Sequence, residues 1–387
     1  MQGRHHVCAW AADVGVELTR ALRTIGIDGS RANVGRPTGT ERYSGELLSA
    51  LAELDPPEEI RVYLNAADRP SDMRLPGSAV PIPGPRFWTL RNLAAEMRRD
   101  PPDLLFVPSH VIPPVHPRSV VTIHDLGYLI EPECHQPIHR KQLEWTTRWN
   151  AKAAAGLIAV SETTKSDLVE FLAISPNRIR VVYHGVGKEF APATEPEIEA
   201  VRERHGIGTM SILAVGTLQP RKNLMRLIQA FERLAPRYPD IQLVLCGAPG
   251  WHSDQILHRA SASPFHDRIR HLGYIPDSDL PSLYSSAAAL AFPSLYEGFG
   301  LPALEAMACG TPVVAANRSS LPEICGDAAI LVDPLDPESI ANGIELVLTD
   351  DEVRQGLTDR GFVRAAKFRW QECAEQTLAF LRSIGDN

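Results

Sequence analysis

Residues 292–306 are the most informative stretch of the chain, and they read Phe-Pro-Ser-Leu-Tyr-Glu-Gly-Phe-Gly-Leu-Pro-Ala-Leu-Glu-Ala. The apolar residues that end at 292 predict a strand, the loop after them carries glycines, and Pro302 suits the first turn of a helix. Such a helix directs free N–H groups and the positive end of its dipole at the loop, which predicts a phosphate site. Gly298 and Gly300 would let a ligand approach the backbone closely.

Two glutamates flank the predicted phosphate site. Glu297 lies in the loop, and Glu305 lies about one helical turn into the helix, roughly 6 Å from its start. Because two carboxylates repel a phosphate, we expect them to accept hydrogen bonds from sugar hydroxyls. The alternative is a turn that carries two solvated surface acids.

The rest of the chain repeats the same pattern: a short apolar run, then a turn, then a longer stretch with helical periodicity. The runs lie at 24–28, 60–64, 104–107, 120–124, 156–160 and 179–183 in the first half, and at 212–215, 241–246, 269–272, 288–292, 312–315 and 329–332 in the second. Near-continuous apolar strands that alternate with helices indicate parallel sheets covered on both faces. The sequence therefore predicts an α/β protein of two doubly wound, Rossmann-like domains facing one cleft.

The division into domains is predicted from length and local composition. At 387 residues the chain is more than twice the usual size of one domain. Residues 191–197, Ala-Pro-Ala-Thr-Glu-Pro-Glu, have the proline-rich and acidic composition of an exposed hinge. We expect domains at 1–195 and 196–387. The last helix, at about 371–383, can pack against either domain, including back on the N-terminal one, and residues 1–23 have no predicted role.

The composition excludes several classes of protein. With 44% hydrophobic and 22% charged residues the chain is neither disordered nor fibrous, and its net charge of −8 argues against a nucleic-acid partner. It has no run of about 18 uncharged apolar residues and no signal-peptide pattern. The six cysteines form no C-x-x-C pair, which indicates free thiols in a reducing compartment. We therefore expect a cytoplasmic protein.

A basic pair follows the first strand of the second domain. Residues 215–223 read Val-Gly-Thr-Leu-Gln-Pro-Arg-Lys-Asn and precede an amphipathic helix. Arg221 and Lys222 would point into the cleft from the carboxyl end of a strand, where they could neutralise a diphosphate. The helix dipole disfavours cations at this position, so two together indicate an anion. The alternative is an ordinary basic helix start.

The first domain offers two weaker signals. Residues 36–42, Arg-Pro-Thr-Gly-Thr-Glu-Arg, follow the strand at 24–28 as a nucleotide-binding turn does, but G-x-G-x-x-G is absent and a dinucleotide site is poorly supported. His124 ends the strand at 120–124 and would face the cleft, available for hydrogen bonding or proton transfer. The alternative is a histidine in a loop, with Asp125 as the cap of the next helix.

Together these motifs resemble the family 4 retaining glycosyltransferases of the GT-B fold. The resemblance rests on the two glutamates separated by seven residues, on P-R-K-N at 220–223, on T-G-x-x-R-Y at 38–43 and on I-H-D at 123–125. Further matches are A-V-S-E at 159–162, H-G-V at 184–186 and G-Y-I at 273–275. The resemblance extends from about residue 24 to residue 381.

The resemblance implies a role for each matching residue. Glu305 would hold the ribose of a nucleotide sugar, and Glu297 the hydroxyls of the transferred sugar. Arg221 and Lys222 would stabilise the departing nucleoside diphosphate, and His124 would lie beside the transferring sugar. The other residues implied to bind the nucleotide sugar are Gly39, Thr40, Gly216, Thr217, Tyr274, Ile275, Gly298, Phe299, Gly300 and Leu301.

The positive charge at this site is expected to come from side chains rather than from a metal. Family members often carry an arginine where this chain has Thr217, so Arg221 would supply that charge. Asp277 and Asp279 match the D-x-D of metal-dependent glycosyltransferases, but they precede a helix predicted at 279–286, so we expect N-capping. No metal and no cofactor is expected.

Two other patterns have alternatives. Cys134, His135 and His139 could suggest a metal, but the prolines around them predict a loop without one. Residues 86–99 carry an apolar face with arginines beside it, which suits either a helix on a membrane surface or, as we expect, a helix that faces the core. That face consists of Phe87, Leu90, Leu93 and Met97.

The function expected from the resemblance is retaining transfer of a hexose from a nucleoside-diphosphate sugar to a glycan, a lipid-linked or a small-molecule acceptor. E-G-F-G-L-P at 297–302 favours mannose, and hence GDP-mannose as donor. We expect attack on the same face of the sugar that the diphosphate leaves, with peripheral contact between the protein and the inner membrane face. The alternatives are a nucleotide-sugar epimerase, a phosphorylase and a two-lobed ligand-binding module.

Overall fold

The structure is a computed structural model that describes residues 22–32, 38–65, 74–84, 87–109 and 111–386. Of the stretches singled out above, residues 1–21, Arg36, Pro37 and Arg86 lie outside these ranges.

The N-terminal domain is built on a parallel sheet of seven strands in the order β3-β2-β1-β4-β5-β6-β7. The strands are β1 Thr24–Asp28, β2 Glu59–Asn65, β3 Ser78–Ile82, β4 Leu104–Val107, β5 Arg118–Ile123, β6 Gly156–Ala159 and β7 Ile179–Val181. All four residues of β4, at the centre of the sheet, are buried. Successive side chains of a strand point to opposite faces, which explains why the central strands are apolar throughout.

Helices cover both faces of this sheet. They are α1 Gly39–Leu54, α2 Ala94–Arg99, α3 Gly127–Ile130, α4 Pro137–Ala153 and α5 Glu162–Leu172. Helix α1 packs on the face that carries Leu104 and Phe106. A π-helical turn at Trp88–Leu93, which runs into α2, packs with the end of α4 and with α5 on the opposite face, which carries Leu105 and Val107.

The C-terminal domain has a parallel sheet of six strands in the order β10-β9-β8-β11-β12-β13. The strands are β8 Ser211–Val215, β9 Gln242–Cys246, β10 Ile269–Gly273, β11 Ala289–Phe292, β12 Val313–Ala316 and β13 Ala329–Val332. Its helices are α6 Glu195–His205, α7 Leu224–Leu234, α8 Ser253–Ser261, α9 Leu280–Ser285, α10 Leu301–Ala308, α11 Leu321–Cys325, α12 Pro337–Thr349 and α13 Asp351–Ala365. The two α/β domains expected from the sequence are therefore present.

The last helix, α14 Trp370–Gly385, returns to the N-terminal domain and packs along α1. Its Arg382 donates hydrogen bonds of 2.6 and 3.0 Å to the carboxylate of Glu58. The backbone of Trp370 lies so close to Gly185 that a Cβ on that glycine would be 2.1 Å from it. The chain thus crosses between the domains twice, once before α6 and once before α14.

One strand was not predicted. Strand β3 lies at the edge of the sheet, is mostly exposed and carries Pro81, a residue that an edge strand tolerates. Val80 and Ile82 pack on the core of this domain, but Pro81 lies between them and the strand has no continuous buried run to mark it. Among the residues described, no helix has both the length and the apolar character needed to cross a membrane.

Candidate active site

A cavity of about 480 Å³ lies between the two domains. The carboxyl ends of both sheets face it, because β5 delivers His124, β8 delivers Gly216 and β11 leads into the loop of Glu297. All fifteen residues proposed from the sequence line this cavity. They are Gly39, Thr40, His124, Gly216, Thr217, Arg221, Lys222, Tyr274, Ile275, Glu297, Gly298, Phe299, Gly300, Leu301 and Glu305.

Glu297 is the centre of a buried group of three charges. Its Oε1 accepts a hydrogen bond of 2.7 Å from Lys222 Nζ, and its Oε2 lies 2.9 Å from Arg221 Nη1. Burial alone would raise the pKa of Glu297, but the two cations outweigh it and hold that pKa at about 2. Burial, with Arg221 adding to it, lowers the pKa of Lys222 against the attraction of Glu297. With all three groups ionised, one positive charge is left over at the cavity wall, which suits an anion.

Asn223 fixes the backbone that presents the two cations. A 3₁₀ turn spans Pro220–Lys222, and Asn223 then adopts a left-handed conformation with φ of 59°, which asparagine tolerates better than most residues. Its buried amide donates hydrogen bonds to the carbonyls of Pro293 (3.0 Å) and Pro334 (2.6 Å). This amide ties the loop after β8 to the loop after β11, so that the basic pair and Glu297 are held in register.

The two glycines of the decisive loop serve packing and capping in the structure. A Cβ on Gly298 would stand 1.8 Å from the carbonyl oxygen of His124, so this glycine permits close approach of the N-terminal domain. The sequence predicted close approach of a ligand at Gly298, and the structure adds this packing requirement. Gly300 has φ of 114° and occupies the N-cap position of α10, and this conformation requires glycine. Gly300 and Leu301, at the start of α10, line the cavity, whereas Pro302 has no N–H group and the N–H of Ala303 donates to the carbonyl of Gly300.

Glu305 is bound from both domains. It lies in α10 and is only 5% exposed. Its Oε1 accepts a hydrogen bond of 2.7 Å from Nη1 of Arg42, in α1 of the opposite domain, and its Oε2 accepts one of 2.8 Å from the hydroxyl of Tyr284. Arg42 Nη2 also donates to Asp277 Oδ1 at 2.7 Å. Burial raises the pKa of Glu305, although Arg42 and Tyr284 oppose that shift.

His124 presents a neutral imidazole to the cavity. Its Nε2 lies 2.9 Å from the carbonyl oxygen of Pro108. A carbonyl only accepts, so this nitrogen carries the proton and Nδ1 is left as the acceptor. Burial lowers the pKa of His124, which favours the neutral form. Asp125 accepts a hydrogen bond of 3.0 Å from the N–H of Gly127, the first residue of α3, but the N-cap position suggested for it is occupied by Leu126.

Sequence reasoning missed several residues of this site. Arg42 and Asn223 were quoted within sequence motifs, but neither was given a role. Tyr284 carried no signal of its own. His184, from H-G-V, lines the cavity, stacks within 4.4 Å of the Phe299 ring centroid, and has no hydrogen-bond partner for its ring nitrogens in the described part of the chain.

One expectation about local structure held only in part, and another was wrong. Asp279 occupies the N-cap position of α9, but its side chain makes no capping hydrogen bond. It pairs instead with Arg204 at 2.7 Å and His205 at 3.1 Å, and Asp277 pairs with Arg42. The prolines at 132 and 137 begin a 3₁₀ turn and helix α4 rather than a loop. Within the described ranges, no group of three or more histidine, cysteine, aspartate or glutamate side chains could hold a metal ion.

The apolar face predicted at 86–99 is divided in the structure. Leu93 and Met97 are buried, as expected for a helix that faces the core, but Phe87 is 65% exposed and Leu90 is 43% exposed. Helix α4 lies over the same face of the sheet and exposes three more large apolar side chains. They are Ile138, Leu143 and Trp145.

Family models match both domains. A model described as glycosyltransferase family 4 matches residues 37–190, and one described as glycosyl transferases group 1 matches residues 197–364. O-antigen chain mannosyltransferase B of Escherichia coli is 32% identical to this chain, over 88% of this chain and 95% of that protein. D-inositol 3-phosphate glycosyltransferase of Corynebacterium urealyticum is 34% identical, over 69% of this chain and 66% of that protein.

Solved structures share the architecture. Sucrose-phosphate synthase from Thermosynechococcus elongatus superposes with a TM-score of 0.75 at 21% identity, covering 93% of this chain and 98% of that one. HepE of Anabaena in complex with UDP-glucose gives a TM-score of 0.74 at 19% identity, covering 94% and 100%. The chain belongs to the family 4 glycosyltransferases. It has the GT-B fold, and it is a glycosyltransferase.

Proposed function

We propose that this protein transfers mannose from a nucleoside-diphosphate donor, GDP-mannose, to a glycan or lipid-linked acceptor with retention of the anomeric configuration. The observation that carries the proposal is the buried group of Glu297, Arg221 and Lys222, which leaves one positive charge at the wall of the cavity. The similarity to a mannosyltransferase over nearly its whole length supports mannose.

The same group explains how the bond to the leaving group would break. Negative charge builds on the diphosphate as it departs, and Arg221, Lys222 and the backbone N–H groups of Gly300 and Leu301 would stabilise it. These groups are fixed in a buried wall, so they need little reorganisation during the reaction. Glu297 pairs with both cations and would also accept hydrogen bonds from hydroxyls of the sugar.

The acids of the cavity support attack on the face that the diphosphate leaves. A double displacement needs a free nucleophile beneath the anomeric carbon. Among the described residues that line the cavity, every carboxylate already has a protein partner. Asp125 accepts from Gly127, Asp277 and Glu305 pair with Arg42, and Glu297 pairs with the two cations. The neutral His124 would accept a hydrogen bond from the sugar and help hold the oxocarbenium-like state.

Activity should not depend on a divalent metal, because the two cations supply the charge that a metal would otherwise provide. Turnover after exhaustive treatment with EDTA should equal turnover before it. Activity lost to EDTA and restored by Mg²⁺ or Mn²⁺ would contradict this part of the proposal.

The decisive experiment screens GDP-mannose, UDP-glucose and other nucleotide sugars by thermal shift, and then follows product with each donor that stabilises the protein. A donor at 100 times its Kd should add about 2.7 kcal/mol to the free energy of unfolding. Retained configuration in the product, seen by NMR, supports the proposal. An epimerised nucleotide sugar, release of sugar phosphate from a glycan, or binding without turnover would favour the alternatives, and inversion would contradict the mechanism.

We also propose that the N-terminal domain contacts the anionic inner membrane face, where a lipid-linked acceptor would lie. Residues 87–99 and 137–153 expose Phe87 and Trp145 among basic side chains on one side of the sheet. Trp145→Ala should reduce sedimentation with phosphatidylglycerol vesicles, whereas Val363→Ala, an exposed apolar residue of the other domain, should not. Equal sedimentation of both variants and the wild type would remove this surface from the proposal.

A further inference from the structure

Arg42 is the side chain that joins the two walls of the nucleotide pocket. It belongs to α1 of the N-terminal domain, and its guanidinium reaches Glu305 and Asp277 of the C-terminal domain, both at 2.7 Å. The face of Phe190 lies 5.5 Å from the same guanidinium. The Arg42 side chain is 16% exposed and that of Glu305 is 6% exposed, so this ion pair is sheltered from solvent.

The ion pair between Arg42 and Glu305 involves the same carboxylate that is proposed to bind the ribose of the donor. Arg42 occupies Oε1 of Glu305, and the Tyr284 hydroxyl occupies Oε2. A carboxylate has about four acceptor positions, so one position on each oxygen remains for ribose hydroxyls. Arginine has five N–H donors, and this pairing uses one for each carboxylate. Ribose and Arg42 can therefore share Glu305.

Charge balance favours sharing over displacement. The described lining of the cavity carries four carboxylates, and the donor adds a diphosphate. Arg221 and Lys222 are committed to Glu297, so Arg42 is the cation that compensates Glu305 and Asp277. A donor that displaced Arg42 would leave a buried carboxylate without its cation, which is strongly unfavourable.

We propose that Arg42 is a positioning residue that completes the ribose site from the opposite domain. Closure of the cleft places its guanidinium on Glu305 and Asp277, and this orients Glu305 for the ribose hydroxyls. Ribose recognition and domain closure are then coupled through one carboxylate. The inference rests on the proposed nucleotide-sugar activity.

The test compares a nucleotide with and without its ribose hydroxyls. The full chain is titrated calorimetrically with GDP and with 2′,3′-dideoxy-GDP, and the uridine pair is run in parallel. In the wild type, loss of the hydroxyls should weaken binding about tenfold, since hydrogen bonds to a charged group are lost. Arg42→Gln should weaken GDP binding about tenfold and shrink the ribose effect to about threefold or less. Arg42→Lys keeps the positive charge but loses the paired N–H donors of the guanidinium, so its ribose effect should lie between those of the wild type and Arg42→Gln.

A matched control comes from another pair that spans the domains. Glu131 and Arg318 lie 3.7 Å apart at partly exposed positions outside the cavity lining, and Glu131→Gln should bind both nucleotides as the wild type does. Small-angle scattering gives a second measurement, because the wild type, in which Arg42 already joins the two domains, should be more compact than Arg42→Gln. Should Arg42→Gln fail to fold, Asp277→Asn can replace it, because it alters the more exposed partner of Arg42. It should weaken GDP binding and reduce the ribose effect in the same direction, but by less.

The outcomes separate the two proposals. If Arg42→Gln keeps the full ribose effect, or binds GDP as tightly as the wild type does, Arg42 has no part in ribose recognition. If the wild type binds neither GDP nor UDP, the proposed function fails, and this inference fails with it.

Discussion

The two domains line the cleft with different kinds of groups. The C-terminal half presents ionised side chains on short loops, with Glu297, Arg221 and Lys222 locked together by hydrogen bonds and ion pairs. The N-terminal half presents the backbone near Gly39, the neutral ring of His124, which lies 4.9 Å from the ring of Tyr43, and one cation, Arg42, which pairs across the cleft with Glu305. The C-terminal half therefore holds its charges among its own side chains, whereas the charge of Arg42 depends on the opposite domain for its partners.

The largest effect expected from this comparison concerns Lys222. Lys222→Ala should lower kcat by about 10²–10³ and change the donor Kd much less, because the cation is worth more once charge has built on the leaving diphosphate. Arg233→Ala, at the exposed end of the following helix, is the matched control and should leave both constants unchanged. A variant at 222 with normal kcat and only a raised KM would limit Lys222 to binding.

A buried carboxylate in each half should respond oppositely to pH. The pKa of Glu297 is held at about 2, so its contribution to stability is full above the unfolded value of about 4.5 and is lost as the pH falls towards 2. The contribution is about 3 kcal/mol. Urea denaturation from pH 5 to pH 3 should therefore show the wild type losing more stability than Glu297→Gln. Parallel loss in both proteins would contradict the charge-locked description of this half.

Asp28, at the end of β1 in the N-terminal half, should show the reverse. Burial raises its pKa to about 6, and hydrogen bonds to Ser30 and the nearby Arg31 offset this only in part. Between about pH 4 and 6 the folded protein keeps a proton that the unfolded chain has lost. Raising the pH through that window should cost up to about 3 kcal/mol of stability. Asp28→Asn should not show this loss, and a pH profile equal to that of the wild type would show that Asp28 is ionised normally.

The smallest expected effect falls on His124. His124→Ala should reduce kcat by about tenfold, the value of one hydrogen bond, with little change in donor Kd. Because burial lowers the pKa of this imidazole, wild-type kcat should stay level as the pH falls to about 6.5 and decline below it, where protonation removes the acceptor at Nδ1. A loss as large as that at Lys222 would show that the N-terminal half contributes more than positioning.

The sequence predicted twelve of the thirteen described strands and the residues that line the C-terminal half of the cleft, because both depend on local patterns. An apolar run marks a buried strand, and Arg221 and Lys222 are adjacent in the chain. The contact between Arg42 and Glu305 spans 263 residues and exists only once two domains face each other, so no local pattern contains it. The need for glycine at 298 could not be predicted either, because the His124 carbonyl against which it packs belongs to the other domain. Strand β3 was missed because Pro81 interrupts its short apolar stretch, and proline argues against a strand except at an edge.

The return of α14 to the N-terminal domain has a consequence for synthesis on the ribosome. The buried residues of α1, among them Leu47 and Leu51, share their core with Trp370 and Leu378 of the last helix. The segment from Glu195 to Ala365, which forms the whole C-terminal domain, must be translated before that helix appears. At about 5–20 residues per second this takes on the order of 10–40 s. The domain that leaves the ribosome first is thus the last to be finished, and its apolar groove beside α1 stays uncovered throughout that interval.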